Sequence, residues 1–235
     1  MNKKFIVGNG FIAKNLKKIQ KDIQKSNYIF YAAGISNSLV FSKKELRREI
    51  NSFLSFYKEN RFNKIVYIST ACVVDNLRKN SMYAKNKIKI EKLIKKKFKH
   101  FLIIRLPEII GKSRNKNTLI NHFYFKILKN KKIIIFKNVT RNILDINDVL
   151  KLLKVIIRDK KVKNKTITLS NIIFTKPLEI IKILEKKLKT KARYSIKITK
   201  NQNWSLKNKE NLKYIKDANI SFDRNYLAKA INKYY

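Results

Sequence analysis

Short apolar runs rich in β-branched residues alternate with longer segments whose apolar residues recur at helical spacing through most of the chain. Residues 4–7 form the first run, which ends at Gly8, and residues 11–24 form the first helical segment. Buried strands that alternate with helices pack as a parallel sheet with helices on both faces. The pattern therefore predicts an α/β protein with a doubly wound parallel sheet.

Further strands and helices are predicted from the same alternation. The predicted strands are residues 28–33, 64–69, 101–105, 133–136 and 166–169. The predicted helices are residues 43–58, 83–97, 118–128, 147–157 and 177–188, with a last helix from about residue 224.

Composition narrows the class of protein. No apolar run approaches the roughly 20 residues that span a bilayer, and the single cysteine excludes an intrachain disulfide and a multi-cysteine metal site. These features predict a cytoplasmic protein that does not associate with membranes. The net charge of +42 comes from 57 lysine and arginine residues against 15 acidic ones. Lysine dominates and is spread over every segment, whereas nucleic-acid modules concentrate arginine and aromatic residues, so nucleic-acid binding is not indicated.

The junction of the first strand and helix has the sequence Gly8-Asn9-Gly10-Phe11-Ile12-Ala13. This is where a dinucleotide-binding fingerprint must lie. Gly8 would allow a sharp turn, Gly10 would let the backbone approach a pyrophosphate, and Ala13 would permit close packing of helix and strand. A tight strand–helix turn without a ligand is the alternative.

Tyr83 and Lys87 lie four residues apart at the start of a predicted helix and therefore share one face. An ammonium group beside a phenol favours the phenolate, and the hydroxyl of Thr70, at the end of the third predicted strand, could orient the same substrate oxygen. These groups could move a proton on a carbinol while a nicotinamide moves the hydride.

The order of six motifs resembles that of the extended short-chain dehydrogenases/reductases, the NAD-dependent epimerase/dehydratase family, over essentially the whole chain. The motifs are the glycine turn at 8–13, Tyr-Ala-Ala-Gly at 31–34, Val-Tyr-Ile-Ser-Thr at 66–70, Tyr-x-x-x-Lys at 83–87, and two segments at 104–111 and 141–149. The resemblance implies a Rossmann-like sheet, an NAD or NADP cofactor and a nucleotide-activated sugar as substrate.

Site residues follow from the resemblance. Thr70, Tyr83 and Lys87 match the catalytic residues. Arg141 matches a residue that meets the substrate's diphosphate, although a surface or interface arginine is an equal alternative. The cofactor would be bound by Gly8, Asn9, Gly10, Phe11, Ile12, Ala33, Gly34 and Lys87, and the substrate by Arg141, Glu108 and Cys72.

The resemblance also implies a division of labour between two parts of the chain. Residues 1–111, completed by 143–170, would form the nucleotide-binding core, and residues 112–142 and 171–235 a small substrate-binding lobe. A homodimer is compatible with the resemblance, and family members of this type commonly serve surface-polysaccharide biosynthesis.

Two departures from the family pattern refine the expectation. Only about 20 residues separate Ala13 from Gly34, so the sheet is reduced and the carboxylate that meets the adenosine ribose has no counterpart. Ala71-Cys72 follows Thr70 where the family's 4,6-dehydratases have Asp-Glu. C4 keto-reduction and C4 epimerisation remain. Cys72 stands where some members carry an acid/base cysteine, but it also suits a small buried position. The alternatives are a catalytically degenerate member that binds sugar nucleotides and a basic RNA-associated protein.

Overall fold

The computed structural model describes residues 4–36, 38, 42–113, 115–198 and 209–235. The chain divides into two compact units. Unit 1 comprises Met1–Leu106, Asn147–Leu169 and Asn208–Asn219, and unit 2 comprises Pro107–Ile146, Ser170–Lys207 and Ile220–Tyr235. None of the described helices is long and apolar enough to cross a membrane.

Unit 1 is built on a parallel sheet whose strands follow one another in the order of the chain, β1-β2-β3-β4-β8. Its strands are β1 (Ile6–Val7), β2 (Tyr28–Tyr31), β3 (Lys64–Thr70), β4 (Phe101–Leu106) and β8 (Lys165–Thr168). Its helices are α1 (Phe11–Leu16), α2 (Gln20–Ser26), α3 (Lys43–Asn60), α4 (Met82–Lys97), α6 (Ile146–Arg158) and α8 (Lys209–Asp217). The first residue of α6, Ile146, is assigned to unit 2 and the rest of the helix to unit 1.

Helices cover both faces of this sheet. On one face the side chains of Tyr31 and Tyr67 pack with Phe53 of α3 and Ile90 of α4 in an apolar cluster. Strand residues that alternate with them and so point to the other face, such as Phe30 next to Tyr31, are also fully buried. Helix α2 contacts β2, and ion pairs of Asp22 with Lys154 and Arg158 join α2 to α6. The expected reduced, doubly wound α/β sheet is confirmed.

Unit 2 contains a three-stranded sheet in the order β5-β7-β9 and a two-stranded parallel sheet of β6 and β10. The helices α5, α7 and α9 supply most of its apolar core, including Phe123, Ile181 and Ile231. The strands are β5 (Glu108–Ile110), β6 (Ile133–Phe136), β7 (Arg141–Asp145), β9 (Phe174–Thr175) and β10 (Tyr194–Lys197). The helices are α5 (Leu119–Leu128), α7 (Pro177–Leu188) and α9 (Tyr226–Tyr234).

The boundaries of the two units differ from those predicted for the core and lobe. Residues 107–111 and 143–146 lie in unit 2, because β5 pairs with β7 and leaves the main sheet at Pro107. The segment Asn208–Asn219 belongs to unit 1, where α8 contacts β8 and Lys213 pairs with Asp159 at 3.0 Å.

Candidate active site

The turn after β1 depends on Gly8. Its φ angle is +122°, a conformation that side chains rarely allow, and a Cβ atom here would lie 2.6 Å from the carbonyl oxygen of Ala32. The glycine therefore lets the turn pack directly against the backbone that follows β2. This requirement comes from the protein itself and holds with or without a ligand.

Gly10 differs, because no protein atom lies within 4 Å of the position its Cβ would occupy. Asn9 and Gly10 are exposed, Phe11 and Ile12 are half-buried, and Ala13 is buried against the strand. The first N–H groups of a helix have no partner within the helix. The turn thus fits the pyrophosphate of a dinucleotide, with room where a larger residue would intrude.

Tyr83 and Lys87 are brought together at the start of α4. Ser81 caps this helix by accepting a hydrogen bond from the Ala84 N–H at 3.1 Å. Both side chains are buried, and the Lys87 ammonium nitrogen lies 5.3 Å from the centre of the Tyr83 ring. The predicted pair therefore shares a face, at the edge of the sheet where the parallel strands end.

Thr70 ends β3 and is held in a local turn. Its Oγ1 accepts a hydrogen bond from the Cys72 N–H at 3.2 Å and caps a 3-10 turn over Ala71–Val73. That turn packs against α4, and Cys72 is buried in the same apolar cluster as Tyr83. Thr70, Cys72 and Tyr83 thus belong to one neighbourhood.

Glu49 is a site residue that the sequence reasoning missed. Its Oε1 accepts a hydrogen bond from Lys87 Nζ at 2.5 Å and one from the Ile35 N–H at 3.1 Å. Its Oε2 accepts one from Asn86 Nδ2 at 2.7 Å. A signal was present in the sequence, since Glu49 lies three residues after Leu46 and four before Phe53 and therefore on the buried side of α3.

Gly34 lies against this pair. A Cβ atom on Gly34 would be 2.5 Å from Glu49 Oε1 and closer still to Lys87 Nζ. Ala33 beside it is exposed. Both residues were predicted to bind the cofactor. The structure shows in addition that Gly34 packs against the Lys87–Glu49 ion pair.

Two buried tyrosines lie close to Glu49. Burial, with a smaller effect of the Glu49 charge, raises the pKa of Tyr31 to about 12. Burial, again followed by the Glu49 charge, raises the pKa of Tyr67 well above its ordinary value. Both phenols therefore stay protonated at neutral pH.

A second buried ionic network involves Glu91 of α4. Its carboxylate accepts hydrogen bonds from Ser69 Oγ at 2.6 Å and from two nitrogens of Arg105 at 3.0 and 2.5 Å. Ser69 is thereby committed to this network, and Arg105 ties α4 to β4. The arrangement fixes the helix that carries Tyr83 and Lys87.

The remaining predicted substrate residues lie in unit 2, on neighbouring strands of its three-stranded sheet. Arg141 begins β7 and pairs with Thr175 of β9, and Glu108 begins β5 and pairs with Ile143 of β7. Both side chains are half-buried. Cys72, the third, lies in unit 1.

The family model described as the NAD dependent epimerase/dehydratase family matches residues 13–170, more than half of the chain. The chain belongs to this family. The family assignment made from the motifs is confirmed, and with it an NAD-type dinucleotide as the cofactor.

Solved structures show the same fold. RMD from Pseudomonas aeruginosa complexed with NADPH matches with a TM-score of 0.70 at 13% identity, over 97% of each chain. UDP-glucuronic acid 4-epimerase from Bacillus cereus, in complex with UDP-glucuronic acid and NAD, gives 0.69 at 17% identity, over 99% of this chain and 88% of that one. UDP-N-acetylglucosamine 4-epimerase from Bacillus cereus gives 0.68 at 14% identity, over 97% and 93%. No curated protein matches the sequence.

Proposed function

We propose that this protein is an NAD(P)-dependent enzyme that acts on C4 of a nucleotide-activated sugar, by keto-reduction or by epimerisation. The observation that carries the proposal is the buried Lys87 ammonium 5.3 Å from the Tyr83 ring, at the carboxyl ends of the sheet strands. In open α/β sheets ligands bind at that edge. Membership in an NAD-dependent family and the fold shared with 4-epimerases support the assignment.

The proposed chemistry assigns the proton to Tyr83. Its phenol gives a proton to the C4 oxygen of a keto sugar, or takes one from the C4 hydroxyl, and the bound dinucleotide accepts or supplies the hydride. The nearby ammonium of Lys87 stabilises the negative charge that develops on the phenol oxygen. The Thr70 hydroxyl keeps its own proton for the substrate oxygen while accepting from the Cys72 N–H.

The same proposal assigns binding roles. The turn from Gly8 to Ile12 holds the pyrophosphate through backbone N–H groups, and Ala33 and Gly34 line the neighbouring strand end. Arg141 and Glu108 contact the sugar nucleotide, with Arg141 binding its diphosphate. Cys72 lies beside Tyr83 as a small side chain at the sugar. We further propose that unit 1 is the nucleotide-binding unit and unit 2 the substrate-binding unit of a cytoplasmic enzyme of polysaccharide synthesis.

The test is Tyr83→Phe, assayed against a panel of nucleotide sugars with NADH and NADPH. Loss of the proton donor lowers kcat by about 10²- to 10⁴-fold while dinucleotide binding stays within about twofold. Tyr28→Phe is the matched control, because Tyr28 is also buried but begins β2, at the opposite end of the sheet. Full activity in Tyr83→Phe would remove Tyr83 from the chemistry. Wild-type protein that binds dinucleotide and sugar nucleotide without turnover would favour the non-catalytic alternative.

A further inference from the structure

Lys87 is not held by α4 alone, since its ammonium is bound to a carboxylate on a different helix. We propose that Glu49 is a positioning residue for Lys87, which fixes the ammonium beside Tyr83, and that position 34 is glycine because this ion pair occupies the space next to it. The inference rests on the proposed function, because it assigns Glu49 a role in the same site.

The Glu49 carboxylate is itself held firmly. Three donors reach it, two from adjacent residues of α4 and one from the backbone after β2: Lys87 Nζ at 2.5 Å, Asn86 Nδ2 at 2.7 Å and the Ile35 N–H at 3.1 Å. Leu46 and Phe53 pack on the same side of α3 and are buried. A carboxylate with this many partners is held in one orientation. The Lys87 ammonium that is bonded to it is therefore held in one position.

The Lys87–Glu49 pair consists of two buried charges that compensate each other. The side chains of Lys87 and Glu49 are 3% and 2% exposed, so neither charge can be satisfied by water. A lysine side chain is long and flexible, and without the carboxylate the ammonium would be driven toward solvent. An ammonium has three N–H donors, and the bond to Glu49 uses one. Glu49 therefore keeps the cation inside the site while leaving donors for the reacting groups.

Gly34 supplies an independent observation. A side chain there would lie 2.5 Å from Glu49 Oε1 and closer to Lys87 Nζ, and both atoms are buried and bonded to each other. The ends of this ion pair cannot move aside as surface side chains do. Residue 34 can therefore pack against the pair only because it lacks a Cβ.

The experiment compares Glu49→Gln with Glu45→Gln in the full chain. Both variants make the same chemical change on α3, but Glu45 is exposed. Glutamine keeps the size of Glu49 and removes the charge that holds Lys87. We expect Glu49→Gln to lower kcat by about 10- to 100-fold with KM for the sugar nucleotide within about twofold, because the reacting groups lose their alignment. Glu45→Gln should match wild type in both constants.

A second readout does not depend on turnover. Glu49→Gln should weaken NADH binding, measured by fluorescence titration, by about tenfold relative to Glu45→Gln, since Lys87 is one of the residues expected to bind the cofactor. Glu49→Asp, which keeps the charge on a shorter side chain, should recover part of both losses. A purely structural role would lower the melting temperature of Glu49→Gln and leave kcat and NADH binding of the folded fraction unchanged, which would overturn the proposal.

Gly34→Ala tests the same pair from the other side. The variant should reproduce the kcat and NADH-binding losses of Glu49→Gln, and it decides the matter if Glu49→Gln does not fold. Wild-type values in folded Gly34→Ala would contradict the proposal. If the wild type turns over no nucleotide sugar but NADH binding still depends on Glu49, the positioning role stands and the proposed function fails. If the wild type turns over a nucleotide sugar and Glu49→Gln does so at the same rate, the proposed function stands and the positioning role of Glu49 fails.

Discussion

Glu91 carries a buried negative charge whose compensation comes mainly from one side chain. Arg105 donates two hydrogen bonds to it, and Ser69 adds a third. Glu91 is 3% exposed, so removing Arg105 would leave a charge that water cannot reach. A surface ion pair offers the contrast: Arg158 bonds to Asp22, but its side chain is 66% exposed.

Arg105→Met should therefore cost about 3–5 kcal/mol in the free energy of unfolding, whereas Arg158→Met should cost less than about 1 kcal/mol. Urea denaturation of the two variants and the wild type measures both. Equal losses would show that the Glu91 charge is solvated or neutralised once Arg105 is gone, contrary to its burial.

Among single residues, those that could be predicted are set by local geometry. Tyr83 and Lys87 share a face because helical spacing requires it, and the conformation of Gly8 follows from a tight turn. Glu49 and Lys87 are 38 residues apart, and only the packing of α3 against α4 brings them together. No local pattern specifies that pairing, although an acid on the apolar stripe of α3 signals that some buried partner exists.

At the level of elements, the link between β1 and β2 bears on cofactor choice. It consists of α1, a 3-10 turn over Lys17–Ile19 and α2, and it brings exposed Lys14, Lys17 and Lys18 close to the glycine turn in sequence. No acidic residue follows β2 directly in sequence, so the carboxylate that would repel a 2′-phosphate has no counterpart at that position.

NADPH should accordingly bind at least as tightly as NADH. Lys17→Gln/Lys18→Gln should weaken NADPH binding by up to about tenfold, or 1.4 kcal/mol, and leave NADH binding unchanged. The control is Lys95→Gln/Lys96→Gln, two exposed lysines in the last turn of α4. Fluorescence titrations at low salt measure all four combinations, and a strong preference of the wild type for NADH would contradict the argument.

Strands β2, β3 and β4 of the main sheet were predictable because each contains a continuous apolar run that is buried on both faces. The strand predicted over residues 101–105 is β4, which ends at Leu106, and β5 begins at Glu108. Pro107 between them has no N–H to donate to a ladder. The helix predicted over residues 11–24 is divided by the 3-10 turn, a local distortion that apolar spacing does not reveal.

For the molecule as a whole, the net charge of +42 opposes the folded state at low ionic strength. The acidic residues are too few to pair with most of the cations, so the excess charge is repulsive. Raising NaCl from about 10 mM to 300 mM should increase stability by about 1 kcal/mol, or roughly 2–4 °C in the melting temperature.

Thermal melts in NaCl and KCl provide the measurement, and the two salts should give the same gain because screening depends on ionic strength. A melting temperature that falls as salt is added would show instead that attractive ion pairs, such as those of Asp22, outweigh the repulsion. The gain should also level off once the Debye length is shorter than the spacing between the lysines.

The return of α8 to unit 1 was the least predictable feature at this scale. Composition does not change at Leu106, and the sequence of α8 carries no sign that it returns to unit 1 after a long excursion. That return depends on contacts of α8 with β8 and on the Lys213–Asp159 pair, which join residues 54 positions apart. The spacing of apolar residues within one segment does not predict such long-range contacts.

The chain-ordered sheet has a consequence for synthesis on the ribosome. β1, β2, β3 and β4 pair successively, and all four lie within Met1–Leu106, so each new strand finds its neighbour already made. No later strand has to be inserted between two that have paired. Pairing in this order keeps the closed loops short and the contact order of the early sheet low. Most of the main sheet can therefore assemble while unit 2 is still being translated, which shortens the time that its apolar strands are exposed to aggregation.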